Sequence, residues 1–151
     1  MSTITSEAEL FGCFREIDRD QVELSPELAF PLALDEALAW AIGPRAFLLF
    51  RDRPNGRARG IVFHRNSSAV PDAAAMCEWC HAVRAHGGVK LMSVCSDERH
   101  RIGLYLCSDL GCVSRARELP SPDDLPERLP SGERARRTLR RIADFASRRL
   151  F

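Results

Sequence analysis

Two close cysteine pairs, Cys77-x2-Cys80 and Cys107-x4-Cys112, constrain this chain more than any other feature of it. Each pair can bite a cation from one short turn, so only the intervening loop has to be closed, and four thiolates suit a tetrahedral, borderline-soft ion such as zinc. The alternative is that these are reduced core cysteines or a thiol redox pair. A lone CxxC would serve redox chemistry without a second pair across a loop. The reading is therefore one structural zinc held by Cys77, Cys80, Cys107 and Cys112.

The residues between the pairs fit a β-hairpin. Gly87-Gly88 breaks the chain, Val89 to Cys95 is rich in strand formers, and Ser96 to Arg101 is a polar turn. Arg101 to Cys107 then sets Ile102, Leu104 and Leu106 on one face at a period of two. Ser108-Asp109 can cap a helix whose first turns would carry Cys112. A knuckle, a hairpin and a helix start bearing the last ligand describe an α+β treble-clef zinc finger. Cys95, inside a strand, is expected in the core rather than on the metal. Trp79, inside the knuckle, is expected to cover the site from solvent.

The remaining segments read as follows. Ser6 can cap a short helix with Leu10, Phe11, Phe14 and Ile17 on one face, where Cys13 has no second ligand nearby. Ser25-Pro26-Glu27 is a helix-start signal, and the pattern predicts helix onward through Asp35 to Ile42, kinked at Pro31 and ended by Gly43-Pro44. Residues 1–44 are thus expected as a short helical N-terminal segment. Arg45 to Arg53 and Arg57 to Arg65 are strand-like and joined by Pro54-Asn55-Gly56, a strong hairpin signal. With the knuckle they make a zinc-binding domain over 45–118. Prolines every few residues make 119–130 an extended linker. In 131–151, Ala135, Leu139, Ile142, Phe145 and Ala146 form the apolar stripe of a basic amphipathic helix.

Charge bears on partners. The net formal charge of the 151 residues is only +1, yet arginine greatly outnumbers lysine, of which Lys90 is the sole example, and basic and acidic segments sit apart. Arg51, Arg53, Arg57, Arg59 and Arg65 rim the first hairpin, and Arg137, Arg140 and Arg141 lie on the terminal helix. These are the candidate partner-binding residues, because guanidiniums grip phosphates or carboxylates with forked hydrogen bonds. Solvated edge charges are the bland alternative. RNA or DNA binding through these surfaces is the competing function. No apolar run is long and clean enough to span a bilayer, and the N-terminus lacks the pattern of a secretory signal, so a cytoplasmic location is expected. Treble-clef nucleases gather histidines and a carboxylate around an open metal site. Here His64, His81, His86 and His100 are spread along the chain, and four thiolates leave zinc no place for water. No catalytic residue and no enzymatic activity are expected.

One resemblance adds to this reading. Cys77-Glu78-Trp79-Cys80-His81, then Ile102-Gly103-Leu104-Tyr105-Leu106-Cys107-Ser108-Asp109 and Cys112, resembles the C-terminal treble-clef domain of elongation factor G-binding proteins, the fusidic-acid-resistance type and their relatives. The hairpin containing Arg59-Gly60-Ile61-Val62-Phe63-His64-Arg65 is similar to the strand pair that precedes the knuckle there. The resemblance runs from about Arg45 to Arg117, short of the proline linker and the terminal helix. It implies a structural zinc on the four cysteines, binding to elongation factor G, with the ribosome or rRNA as a further partner, and a role in translation that in resistance proteins frees a drug-stalled factor.

Overall fold

The computed structural model describes residues 3–51, 53, 56–65, 74–116 and 131–151, so the proline-rich linker assigned to 119–130 lies outside the described residues. In chain order the elements are β1 (Thr3–Ile4), α1 (Glu7–Cys13), a 3-10 helix (Glu16–Gln21), β2 (Leu32–Ala33), β3 (Ala37–Ile42), β4 (Arg45–Phe50), β5 (Arg59–Arg65), β6 (Ala75–Met76), β7 (Val83–Arg84), β8 (Val89–Cys95), β9 (Arg101–Cys107), α2 (Cys112–Ala116) and α3 (Ser131–Arg149). Five strands form one antiparallel sheet in the order β3-β4-β5-β8-β9.

The two central strands are apolar on both sides because both sides are covered. Register sets which residue goes where: Phe47 pairs with Val62 and Leu48 with Ile61. One face therefore carries Phe47, Leu49 and Val62, packed under Ile4, Leu10, Phe14, Val22 and Leu34 of the N-terminal segment. The opposite face carries Ala46, Leu48, Phe50, Ile61 and Phe63, packed against Trp79, the metal-binding turns and the Ala135, Leu139, Ile142 and Ala146 stripe of α3. The basic helix thus docks on the sheet through the apolar stripe expected of it.

The N-terminal segment departs from expectation. Ser6 does cap α1, accepting from the Glu9 backbone N–H at 3.2 Å, but the helix stops at Cys13 and Ile17 falls in the separate 3-10 helix. Ser25-Pro26-Glu27 forms only a turn, with the Leu28 N–H donating to the Ser25 carbonyl. The peptide bond before Pro31 is cis. Ala37–Ile42, expected as helix, is the edge strand β3, with Ile42 opposite Arg45 across a two-residue turn. Gly43-Pro44 was expected to end a helix and instead makes that hairpin turn, where Gly43 has a φ of 58°. A glycine at the first central position of a tight hairpin supplies this conformation without a steric penalty. Pairing with β4 outweighs the helical preference of Ala-Leu-Ala.

Arg15 ties three elements together. It bonds Asp18 at 2.9 Å, the Ser96 carbonyl at 3.0 Å, the Leu150 carbonyl at 3.4 Å and, more closely still, the Cys95 carbonyl. Burial pushes the Asp18 carboxyl upward, and the Arg15 bond opposes that shift. Close by, Phe14 forms a parallel bridge with Gly60, and a β-carbon on Gly60 would meet the Phe14 ring at 2.6 Å.

Gly60→Ala should accordingly cost about 1–3 kcal/mol of stability through overpacking. In a Phe14→Leu background, where the outer ring atoms are gone, the same substitution should cost much less. Denaturant unfolding of the four proteins of this cycle measures the coupling, and equal penalties in both backgrounds would contradict it.

Candidate metal centre

Two tight turns deliver the four cysteines. The first, Cys77 to His81, is closed by the His81 N–H donating to the Cys77 carbonyl and the Cys77 N–H donating to the Ala82 carbonyl, both at 2.9 Å. His81 has a φ of 63°, so the turn holds a non-glycine residue in the left-handed region. The second begins where β9 ends: the Leu110 N–H donates to the Cys107 carbonyl at 2.9 Å, and Leu110 has a φ of 56°. Cys112 then opens α2. The hairpin β8–β9 spans the two turns, which completes the knuckle, hairpin and helix order.

The sulfurs converge as a metal requires. Cys77 Sγ lies 3.6 Å from Cys112 Sγ and Cys80 Sγ lies 3.5 Å from Cys107 Sγ, with all four within 4.8 Å of one another. A tetrahedral zinc with Zn–S bonds of about 2.3 Å would set its sulfurs about 3.8 Å apart, whereas a disulfide needs about 2.05 Å. All four thiols are free. Hydrogen bonds from Cys107, Cys112 and Cys80 pull the Cys77 thiol down, while those of Cys107, Cys77 and Cys80, together with burial, push Cys112 up. Four sulfurs this close cannot all ionise on their own, and a dication is what permits it. The donor set fits one structural zinc.

Neighbouring residues hold the turns in place. The Glu78 N–H donates to the Tyr105 carbonyl at 2.8 Å and its carboxylate accepts from the Tyr105 N–H at 2.6 Å, which seals the exposed edge of β9. Asp109 accepts from the Gly111 N–H at 2.9 Å and takes both terminal nitrogens of Arg115, at 2.6 and 2.8 Å. This fork lowers Asp109 and raises Arg115. Asp109 therefore braces the second turn from Arg115 of α2, beyond the capping role expected of it. Trp79 is 4% exposed, edge-on to Phe63 at 5.7 Å and tilted against Phe145 of α3 at 6.0 Å. It covers the site, as expected. Cys95 and Cys13 stand apart from the cluster, and Cys13 donates to the Glu9 carbonyl.

The arginines singled out in the sequence do not form one surface. Arg51 is 8% exposed and donates to the Leu34 carbonyl at 3.0 Å and the Gly56 carbonyl at 2.6 Å, so it braces the interior. Register puts it on the N-terminal side of the sheet, whereas Arg59 on β5 reaches Ser147 at 3.2 Å and stacks over Phe151 on the α3 side. Arg65 donates to the Gly43 carbonyl, and Arg141 donates to the Trp79 carbonyl at 2.7 Å. Arg53, Arg57 and Arg140 are exposed. Arg137 lines a cavity of about 50 Å³ beside Cys80 and Cys112, with Arg84, Arg115 and Arg134. Four thiolates on one zinc carry two net negative charges, which guanidiniums lining the same cavity offset. Sequence reasoning missed Glu78 and Arg115, for which the only signal was their nearness to the ligands.

A closed four-sulfur centre carried by two turns, a hairpin and a helix start makes this a treble-clef zinc finger. More narrowly, residues 11–148 match the family described as FBP C-terminal treble-clef zinc-finger, and the chain belongs to that family. The match takes in the N-terminal segment and α3, well beyond the stretch from Arg45 to Arg117 that carried the sequence resemblance. Comparison with curated proteins and with solved structures finds no match. Among the described residues no helix is long and apolar enough to cross a membrane.

Freshly purified protein should contain about one zinc per chain. Cys77→Ser or Cys107→Ser should lose both metal and fold, because such a centre supplies on the order of 10 kcal/mol of folding free energy. Cys13→Ser should keep both. Metal analysis with circular dichroism reads the outcome, and equal tolerance of all three substitutions would refute the ligand set.

Proposed function

We propose that this chain is a non-enzymatic, zinc-stabilised docking module that binds elongation factor G, free or on the ribosome, and so modulates translation. The observation that carries the reading is family membership over nearly the whole chain, since the resemblance of its knuckle and hairpin is to proteins that bind this factor. Two features support it. The metal has four sulfur donors and needs no fifth ligand, so it serves as a rivet rather than as a Lewis acid. Exposed guanidiniums at Arg53, Arg57 and Arg140 offer forked donors to carboxylates on an acidic protein surface.

Nucleic acid is the competing partner. Exposed aromatic side chains are sparse, Tyr105 and Phe151 being the ones at large exposure among the described residues. Stacking platforms for single strands need more of them.

Calorimetric titration with purified elongation factor G should show saturable binding at micromolar or tighter affinity, about −8 kcal/mol. Mixed-sequence RNA should bind more weakly and lose affinity steeply between 50 and 200 mM salt, roughly in proportion to the phosphates contacted. Tight RNA binding with no response to the factor would overturn the reading in favour of nucleic acid.

A further inference from the structure

The N-terminal segment and the first hairpin enclose a groove that the zinc centre does not use. It consists of two adjoining depressions, of about 420 and about 630 Å³, that share Gly12, Cys13 and Arg57. Arg19, Arg57 and Arg59 line the first of them, with Glu16 as the one carboxylate among its described lining residues. Arg15 also borders it, but Asp18 already compensates that charge. Arg57 and Arg19 are exposed. The walls are partly apolar, through the exposed Phe151 ring on one side and Ala58 and Ile4 farther along. The sequence offered Arg57 and Arg59 as partner residues. Only the fold brings Arg19 from the N-terminal segment to meet them.

We infer that this groove is the docking site for an acidic segment of a partner protein, a stretch of chain that carries carboxylates beside apolar side chains. Three guanidiniums against two carboxylates, Glu16 in the first depression and Glu9 in the second, leave an excess of positive charge, and planar forked donors match carboxylates in pairs. Phe151 and the apolar walls offer burial to the partner's aliphatic or aromatic neighbours. RNA is the poorer fit, because Arg59 already covers one face of Phe151, at 5.2 Å, and among the described lining residues no second exposed ring stands beside it. Naming elongation factor G as the owner of that segment rests on the proposed function above, whereas the chemistry of the groove does not.

The test uses the full zinc-loaded chain. Titrations compare the wild type with Arg57→Glu, with Arg19→Glu/Arg57→Glu and with Arg136→Glu, an exposed position of α3 outside the groove lining. Each is run against elongation factor G, against a peptide of alternating glutamate and leucine, and against mixed-sequence RNA. Unchanged zinc content confirms that each variant is folded. Cys13, half-buried in the part of the groove shared by both depressions, serves as an occupancy reporter through its rate of alkylation by iodoacetamide, followed by mass spectrometry. The expected result is a tenfold or greater loss of factor affinity in Arg57→Glu, a larger loss in the double variant and less than a twofold change in Arg136→Glu. Bound factor should slow Cys13 alkylation at least fivefold. If the factor does not bind but the peptide does, with the same dependence on Arg57 and Arg19, the groove assignment stands and the proposed function falls. The groove assignment itself is overturned by any of three results: groove variants that bind protein ligand like wild type, Cys13 alkylation that no protein ligand slows, or protection of Cys13 by RNA alone.

Discussion

Four sulfurs gathered within 4.8 Å are the constraint on which the rest of this fold depends. Their thiolates repel one another and are costly to bury, so the geometry is stable only around a dication, and that dication joins positions separated by 35 residues. Closing the loop fixes both ends of the β8–β9 hairpin at once. The constraint passes into the apolar core through Trp79. Because that ring sits between two ligands in sequence, anchoring Cys77 and Cys80 also anchors Trp79 against Phe63 of the sheet and Phe145 of α3. The net negative charge of the centre is met from the other side by Arg84, Arg115, Arg134 and Arg137, so metal, helix and core are mutually dependent.

The metal is not the whole of the framework. A strand pair buried on both faces, β4 and β5, gives the domain a second organising element, and the two apolar layers it separates are each substantial. The N-terminal segment belongs to this domain, since Leu10 and Phe14 cover one face of the sheet that the zinc turns cover from the other. The family match from residue 11 to residue 148 covers most of this packing, with Ile4 and Leu10 just before its start.

What the sequence made legible were features written in local chemistry. Paired cysteines need no tertiary information to be recognised, the strands flanking Pro54-Asn55-Gly56 do pair antiparallel although Pro54 and Asn55 themselves lie outside the described residues, and the stripe on α3 is a simple period. The strand β3 was hidden because Ala37-Leu38-Ala39 favours helix in isolation, and only its six pairs with β4 decide otherwise. How the arginines divide between the two faces was hidden for a related reason. Within one strand alternation separates faces, but between strands the faces are related by register, and the pairing of Phe47 with Val62 sends Arg51 and Arg59 to opposite sides. No reading of parity along the chain could supply that offset.

The marked preference for arginine over lysine follows from the same architecture. Irregular segments end in carbonyls that need donors, and a guanidinium can reach several at once where an ammonium offers a single point. Arg15 serves the turn after β8, the end of α3 and Asp18 together, Arg51 closes Leu34 onto Gly56, and Arg141 holds the first cysteine turn from above. Each is a fastener between elements that are far apart in sequence, and so is withdrawn from any outside partner. A count of basic residues therefore overstates the binding surface of a chain like this one. The charge open to a partner is what remains after the fold has used its share, and around the N-terminal segment its exposed part lies at Arg57 and Arg19, with Arg19 giving only its Nε–H to the Phe14 carbonyl while Arg59 is half-buried against Ser147 and Phe151.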